Sequence, residues 1–278
     1  MTTLVDVQAP QFAPVGTRGE NVVVWGSAGS GKSMLAINLT CELSDLGQSV
    51  MLVDADSYHP SLAAIAGLTA PGPGITAMLR LERTGRLDAV EIERLSHELN
   101  FGSGMVRLVP GMNSPGRWAE LEPDSLVELA GKLAASHDFV VWDVASHLDP
   151  AVQGGPLEQQ RNQASLTLLT VAERVLGTFA ADPLGINRFL FDARLAGRPY
   201  TAVANRVRQA ALGRNPERQI RDTMFELAKI EVEHLIPEDS GFDDQLRTTA
   251  PLLAQGRKSK ARERVRQLAQ ELITSRSG

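Results

Sequence analysis

Cysteine is nearly missing. Cys41 is the only one, which excludes an internal disulfide and any CxxC metal or iron–sulfur site built within one chain, and suits a reducing cytoplasm. Histidine is scarce, and His59, His97, His137, His147 and His234 show no ligand spacing, so the sequence offers no zinc site. No stretch approaches the roughly 18 consecutive apolar residues of a membrane span. The opening MTTLVDVQAPQFAPVGTRGE also lacks the basic start and apolar centre of a signal peptide. The expectation is a soluble, cytoplasmic protein with no membrane span. Basic residues do not predominate: 28 lysines and arginines face 33 aspartates and glutamates, for a net charge of -5. That balance argues against a dedicated nucleic-acid coat and leaves room for a local basic patch.

What is present is enough for a core: 278 residues, 43% of them hydrophobic, in keeping with one α/β domain. Residues 1–20 carry Pro10, Pro14, Gly16 and Gly19 without a sustained period, and read as a flexible leader to a domain spanning 21–278. From Asn21 the pattern changes to alternating strands and helices. Strands are expected at Asn21–Trp25, Ser49–Val53, Met105–Val109, Phe139–Trp142, Arg174–Phe179, Thr201–Ala204 and Val232–Ile236. Helices are expected between them, including Ser33–Leu46, Pro123–Ala135, Leu184–Leu195, Pro216–Ala228 and Ala261–Ile273. Strands regularly spaced by helices predict a doubly wound, mostly parallel sheet with helices on both faces.

The strongest signal is GSAGSGKS, which comprises Gly26, Ser27, Ala28, Gly29, Ser30, Gly31, Lys32 and Ser33 and lies between an expected strand and an expected helix that continues with Met34. Glycines let the backbone aim its N–H groups at phosphate oxygens, and the helix N-terminus adds its dipole. Lys32 would reach the β and γ phosphates and the Ser33 hydroxyl would bind magnesium, giving ATP and Mg2+ as the cofactors. Two further strand ends carry carboxylates. Val140–Trp142 leads into Asp143, the arrangement that holds such a magnesium, and Val53 leads into Asp54-Ala55-Asp56, where Asp56 would orient an attacking water and Asp54 would support the metal shell. Aspartates at strand ends also commonly cap helices, an alternative these residues leave open. The catalytic set read this way is Lys32, Asp56 and Asp143.

These motifs, followed by NLTCELSDLGQSVMLVDADSYHPSLAAIAGL and then by GITAML, MVRLVPG, DFVVWDV, VANRVR and LIPED, resemble the ParA/MinD ATPases in order and over nearly the whole chain from about Asn21 to Leu272. The segments RNQASL, ADPLGINRF and PERQIRD are most similar to the CpaE/TadZ-like branch associated with positioning pilus and secretion machinery. The resemblance implies a P-loop NTPase of the SIMIBI type and ATPase activity, weak without a partner. It also implies a nucleotide-dependent positioning or partitioning switch, an ATP-dependent homodimer, and a protein partner that is positioned or that stimulates hydrolysis and recruits the chain to a membrane or pole. It assigns the water-orienting role to Asp56, the magnesium aspartate to Asp143, and adenine contacts to Asn205 and the loop from Pro237 to Asp239. Asparagine at a strand end is also common turn chemistry. One departure stands out: where the family places a signature lysine, this chain has Ser27. Either another cation, such as Arg161 or Arg206, substitutes, or the chain turns over slowly and acts mainly as a sensor of ATP.

From Pro251 onward the chain holds seven basic residues against two acidic ones, a patch that could meet DNA or anionic lipid. Ala261, Val265, Leu268, Leu272 and Ile273 make an apolar stripe there without an aromatic, which points to a helix packed on its own domain with a solvated basic face. Cys41 is expected to be a buried thiol, and Trp118 and Trp142 core or interface residues. Two other functions remain: a non-hydrolysing ATP-sensing module, favoured by Ser27, and an ATP-dependent metabolic ligase on the same scaffold. A tyrosine kinase is disfavoured, since Tyr58 and Tyr200 are the only tyrosines.

Overall fold

The computed structural model describes residues 19–101, 104–149 and 156–276. Its strands are β1 (Glu20–Gly26), β2 (Val50–Ala55), β3 (His97–Phe101), β4 (Gly104–Val109), β5 (Phe139–Val144), β6 (Arg174–Ala180), β7 (Thr201–Val207) and β8 (Val232–Pro237). The helices are α1 (Lys32–Asp45), α2 (Leu62–Ile65), α3 (Gly74–Arg83), α4 (Ala89–Leu95), α5 (Pro123–Ala134), α6 (Pro156–Val171), α7 (Pro183–Ala193), α8 (Gln209–Leu212), α9 (Pro216–Ala228), α10 (Ser240–Thr248) and α11 (Lys260–Arg276). The strands form one sheet in the order β3-β4-β2-β5-β1-β6-β7-β8, parallel throughout except for the β3–β4 pair. This is the doubly wound, mostly parallel sheet expected from the sequence.

Because both faces are covered, the central strands are apolar on both sides, as parallel strands must be. Val22, Val24, Leu52, Val141 and Leu176 bury themselves under α1 and α11. Val23, Trp25, Met51, Val53 and Trp142 bury themselves on the opposite face, against α3, α5, α6 and α7. Helix α1 lies between sheet and α11, and every residue from Leu35 to Ser44 is buried. The winding sets the site. From β1 the chain moves outward to β2 and β4, returns to insert β5 beside β1, and then leaves through β6, β7 and β8. The carboxyl ends of β2, β5 and β1 therefore lie side by side where the winding reverses, which is where open α/β sheets take ligands.

Three expectations need correction. Gly19 and Glu20 belong to the domain and not to a leader, since the Gly19 N–H donates to Ala134 O at 2.9 Å, a Cβ there would sit 1.9 Å from His137 O, and Glu20 opens β1. The rest of that leader lies outside the described residues. The sheet gains an antiparallel edge, β3, whose HELNF sequence is too polar to read as a strand alone. The basic face of α11 is largely paired and not simply solvated. Arg262 and Arg266 each donate at 2.7 Å to the buried Glu42 carboxylate of α1, Arg266 reaches Asp45 at 2.6 Å, Arg264 meets Glu217 and Arg276 meets Asp138. Cys41 and Trp142 are buried as expected, and Trp118 packs partly buried against the core. No helix among the described residues is long and apolar enough to cross a membrane.

Glu42 is 1% exposed and answers two arginines, so Glu42→Ala removes the anion that fastens α11 to α1. The variant is expected to lose about 2 kcal/mol, the worth of hydrogen bonds to a charged group plus the penalty on stranded partners. A urea midpoint unchanged from wild type, at equal m, would rule out this role.

Candidate functional site

The glycine loop connects β1 to α1 at the reversal point. Gly29 and Gly31 both have φ of +82°, a left-handed conformation that side-chain-bearing residues rarely hold, and Gly31 serves as the N-cap of α1. A Cβ at Gly31 would meet Asn205 Nδ2 at 2.4 Å. Ala28 and Gly29 face outward, Ser27 and Ser30 are buried, and Lys32, Ser33 and Met34 form the first turn of α1.

Lys32 is 9% exposed, and its ammonium donates to Asp56 Oδ2 at 2.9 Å and to Asp143 Oδ1 at 3.3 Å. Burial alone would lower its pKa, but Asp143 and Asp56 together hold it above the ordinary lysine value. Asp56 is held below the usual carboxylate range: against the cost of burial, Lys32 and the N–H groups of His59 and Tyr58 stabilise its charge. Asp143, fully buried, is pushed up by burial, which outweighs the pull of Lys32 and of the neighbouring Ser33 hydroxyl.

Asp54 is the register partner of Asp143 across β2 and β5. The sequence reading gave it to the metal shell, but both oxygens are committed to the backbone: Oδ1 accepts the Asp56 N–H at 3.2 Å, and Oδ2 accepts those of Ser61 and Leu62 at 2.8 and 2.9 Å. It satisfies N–H groups at the start of α2, close to the alternative left open for it, and it folds the loop that carries Asp56. Burial and the charge of Asp143 raise it to about 8 despite those donors.

Magnesium can be tested against the residues present. Asp143 Oδ2 is buried without a hydrogen-bond partner, and the Ser33 hydroxyl lies near the same carboxylate. A free carboxylate oxygen beside a hydroxyl suits a hard cation that takes few protein ligands and completes its shell with phosphate and water. Among the described residues no three His, Cys, Asp or Glu side chains converge on a cage. Ser33 and Asp143 are therefore the pair that fits.

Asn205, at the end of β7, is 4% exposed and turns toward the loop: its Nδ2 donates to Ser30 O at 2.9 Å and its Oδ1 accepts the Arg206 N–H at 2.8 Å. In this structure it braces the glycine loop. The Pro237–Asp239 loop divides. Pro237 lines an open cavity of about 630 Å³ with Val207, Arg208, Lys260 and Arg264, whereas the Asp239 carboxylate caps α10 through the Gly241 N–H and is held by Arg257 and Ser259. Of the two arginines considered as stand-ins for a cation at position 27, Arg161 is folded over the Tyr58 ring at 3.9 Å and Arg206 pairs with Glu238 at 3.5 Å. No local pattern announces this Tyr58 contact or the bond from Tyr58 to Asn162, which joins positions 104 residues apart.

The Asp54 carboxyl keeps a proton in the folded state at pH values where the unfolded chain has already released it. Its contribution to stability is thus complete below the ordinary carboxylate range and is lost as pH rises toward about 8. Chemical denaturation of the ligand-free protein between about pH 5 and about pH 9 should show stability falling with pH, with a shallower slope in Asp54→Asn. Parallel slopes would reject the assignment.

Residues 22–252 match the family model described as the CobQ/CobB/MinD/ParA nucleotide binding domain. The antiactivator FleN of Pseudomonas aeruginosa is 30% identical over 133 residues, 47% of this chain and 44% of FleN. The tyrosine-protein kinase YwqD of Bacillus subtilis is 28% identical over 134 residues, 48% of this chain and 53% of YwqD. The matched stretch thus spans about half the length of these curated relatives. Among solved structures, the cell division ATPase MinD of Pyrococcus furiosus superposes with a TM-score of 0.71 at 20% identity, covering 92% of this chain and 99% of that one. A ParA family ATPase from Chlorobium tepidum gives 0.74 at 15% identity, covering 91% and 98%. At these identities the superpositions speak for the fold, and the family model, which takes in most of the sequence, speaks for descent. The chain belongs to the CobQ/CobB/MinD/ParA nucleotide-binding family.

Proposed function

We propose that this protein binds ATP with magnesium at Gly26–Ser33, hydrolyses it slowly, and uses the two states as a switch that positions or partitions a cellular structure. The observation that carries the reading is the Lys32 ammonium shared between Asp56 and Asp143 beneath a glycine loop. A buried ammonium neutralised by two carboxylates is stable without ligand, and a triphosphate entering the loop offers it a stronger anion. When Lys32 turns to phosphate, Asp56 Oδ2 loses its cation and is free to accept a proton from water, while Oδ1 stays fixed by the Tyr58 and His59 N–H groups at 2.8 and 2.9 Å. Ser33 and Asp143 would hold the magnesium, which supplies charge neutralisation on the phosphates.

Further support comes from the relatives. A MinD of Pyrococcus horikoshii was solved with Mg-ADP, and an Aquifex aeolicus MinD in complex with MinC. For this chain an ATP-dependent homodimer and a cytoplasmic protein partner follow as proposals. The finer assignment to the CpaE/TadZ-like branch rests on RNQASL and ADPLGINRF, which fall on α6 and the β6–α7 junction. A second reading, a non-hydrolysing sensor, is favoured by Ser27, whose buried hydroxyl presents no cation outward.

Calorimetric titration with ATP and magnesium, alongside phosphate release, tests both. Lys32→Ala should abolish binding, and retained affinity would remove the site. Asp56→Ala should bind as wild type and turn over ~100-fold or more slowly. Hydrolysis by that variant at the wild-type rate refutes the water-orienting role, and no hydrolysis by wild type, with tight binding, selects the sensor.

A further inference from the structure

Tyr58 follows the water-orienting aspartate by two positions, and its ring is enclosed on both faces. The His147 imidazole stacks on it with centroids 4.1 Å apart and planes at 24°, and the Arg161 guanidinium carbon lies 3.9 Å from the same centroid. Two groups that close to one centroid cannot share a face, so the phenol ring is sandwiched between them. The ring edge is fixed as well: the Tyr58 hydroxyl donates to Asn162 Oδ1 at 2.7 Å, and Asn162 Nδ2 donates onward to Asp149 O at 2.8 Å. The preceding residue repeats the connection. Arg161 Nε donates to Ser57 O at 2.8 Å and the Ser57 hydroxyl donates to Arg161 O at 3.1 Å.

Three separate segments meet at this ring: the loop after β2 that carries Asp56, the loop after β5 that carries His147 four residues beyond Asp143, and α6 through Arg161 and Asn162. The Tyr58 N–H is itself one of the two donors on Asp56 Oδ1. The anchored ring and a donor that aims Asp56 thus belong to one residue. Cation–π and stacking contacts of this kind are strong enough to hold a loop yet weak enough to let it move during turnover.

We propose that Tyr58 is a positioning residue that locks the Asp56 loop to the segment following Asp143, so that the two carboxylates answer to the nucleotide as one unit. The proposal rests on the ATPase reading above and concerns rate, not affinity, because the contacts that hold the ring, to His147, Arg161 and Asn162, bear on the loop of Asp56 and the segment after Asp143. A displaced general base costs rate steeply, about 100-fold for an ångström.

The test pairs single-turnover kinetics with hydrogen–deuterium exchange on the full chain. Tyr58→Ala should lower turnover by about 10- to 100-fold while the Kd for a non-hydrolysable ATP analogue stays within about 3-fold, and Tyr58→Phe, which keeps the stack, should restore most of the rate. Exchange in the 145–149 segment should rise in Tyr58→Ala and return in Tyr58→Phe, and the fall in rate at unchanged affinity is the part that a merely local packing defect would not produce. Wild-type turnover in Tyr58→Ala, or unchanged exchange at 145–149, overturns the proposal. If wild type itself does not hydrolyse ATP, the ATPase reading fails and the exchange data alone decide the coupling. If Tyr58→Ala does not fold, His147→Ala strips one face of the ring and leaves Tyr58 in place. Increased exchange at 57–59 in that variant supports the lock, and none overturns it.

Discussion

A lysine ammonium taken out of water needs compensation, and here two strand ends provide it. Burying an unpaired charge costs several kcal/mol, so Lys32 can sit at the base of the glycine loop only because Asp56 and Asp143 lie within hydrogen-bond reach. That requirement runs outward through the fold. Asp143 has to end a central strand, Asp56 has to follow the neighbouring strand, and the loop between Asp56 and α2 has to be folded tightly enough to keep it there. Asp54 does that folding from the backbone side, and its proximity to Asp143 raises its own affinity for a proton.

The sheet supplies the rigidity this arrangement needs. Two cores, one on each face, bury nearly every side chain of β1, β2 and β5, so the strand ends are held by packing before any polar group acts. Helix α1 is clamped from outside by α11 through Glu42, and at its middle by Asn38, which joins Gln245 and the Leu252 N–H. The glycine loop at its N-terminus is braced in turn by Asn205. The glycine loop is therefore held by elements far away in sequence.

Much of this was legible beforehand because it is local. GSAGSGKS needs glycine at two left-handed positions, and a strand running into Asp143 needs only apolar residues before a carboxylate. The alternation of strands with helices named the sheet, and the resemblance named the family. What escaped was whatever depends on register between distant segments. Nothing near Asp54 says that its oxygens will meet the Ser61 and Leu62 N–H groups, and nothing near Tyr58 announces Arg161. The basic stretch of α11 looked like a surface because its partners, Glu42 and Asp45, lie at the other end of the chain. The edge strand β3 was hidden by polar residues that are there because one side of it faces solvent.

That edge strand has its own consequence. An open sheet presents unpaired backbone groups at both margins, a template on which other chains can add. Here one margin ends in five residues that carry Glu98 and Asn100 outward, and the other, β8, terminates in Pro237, which cannot donate a ladder bond. Growth by strand addition is discouraged on both sides, so the concentration at which this protein can be stored or expressed without fibrillar association is governed by its margins, independently of whatever nucleotide occupies its centre.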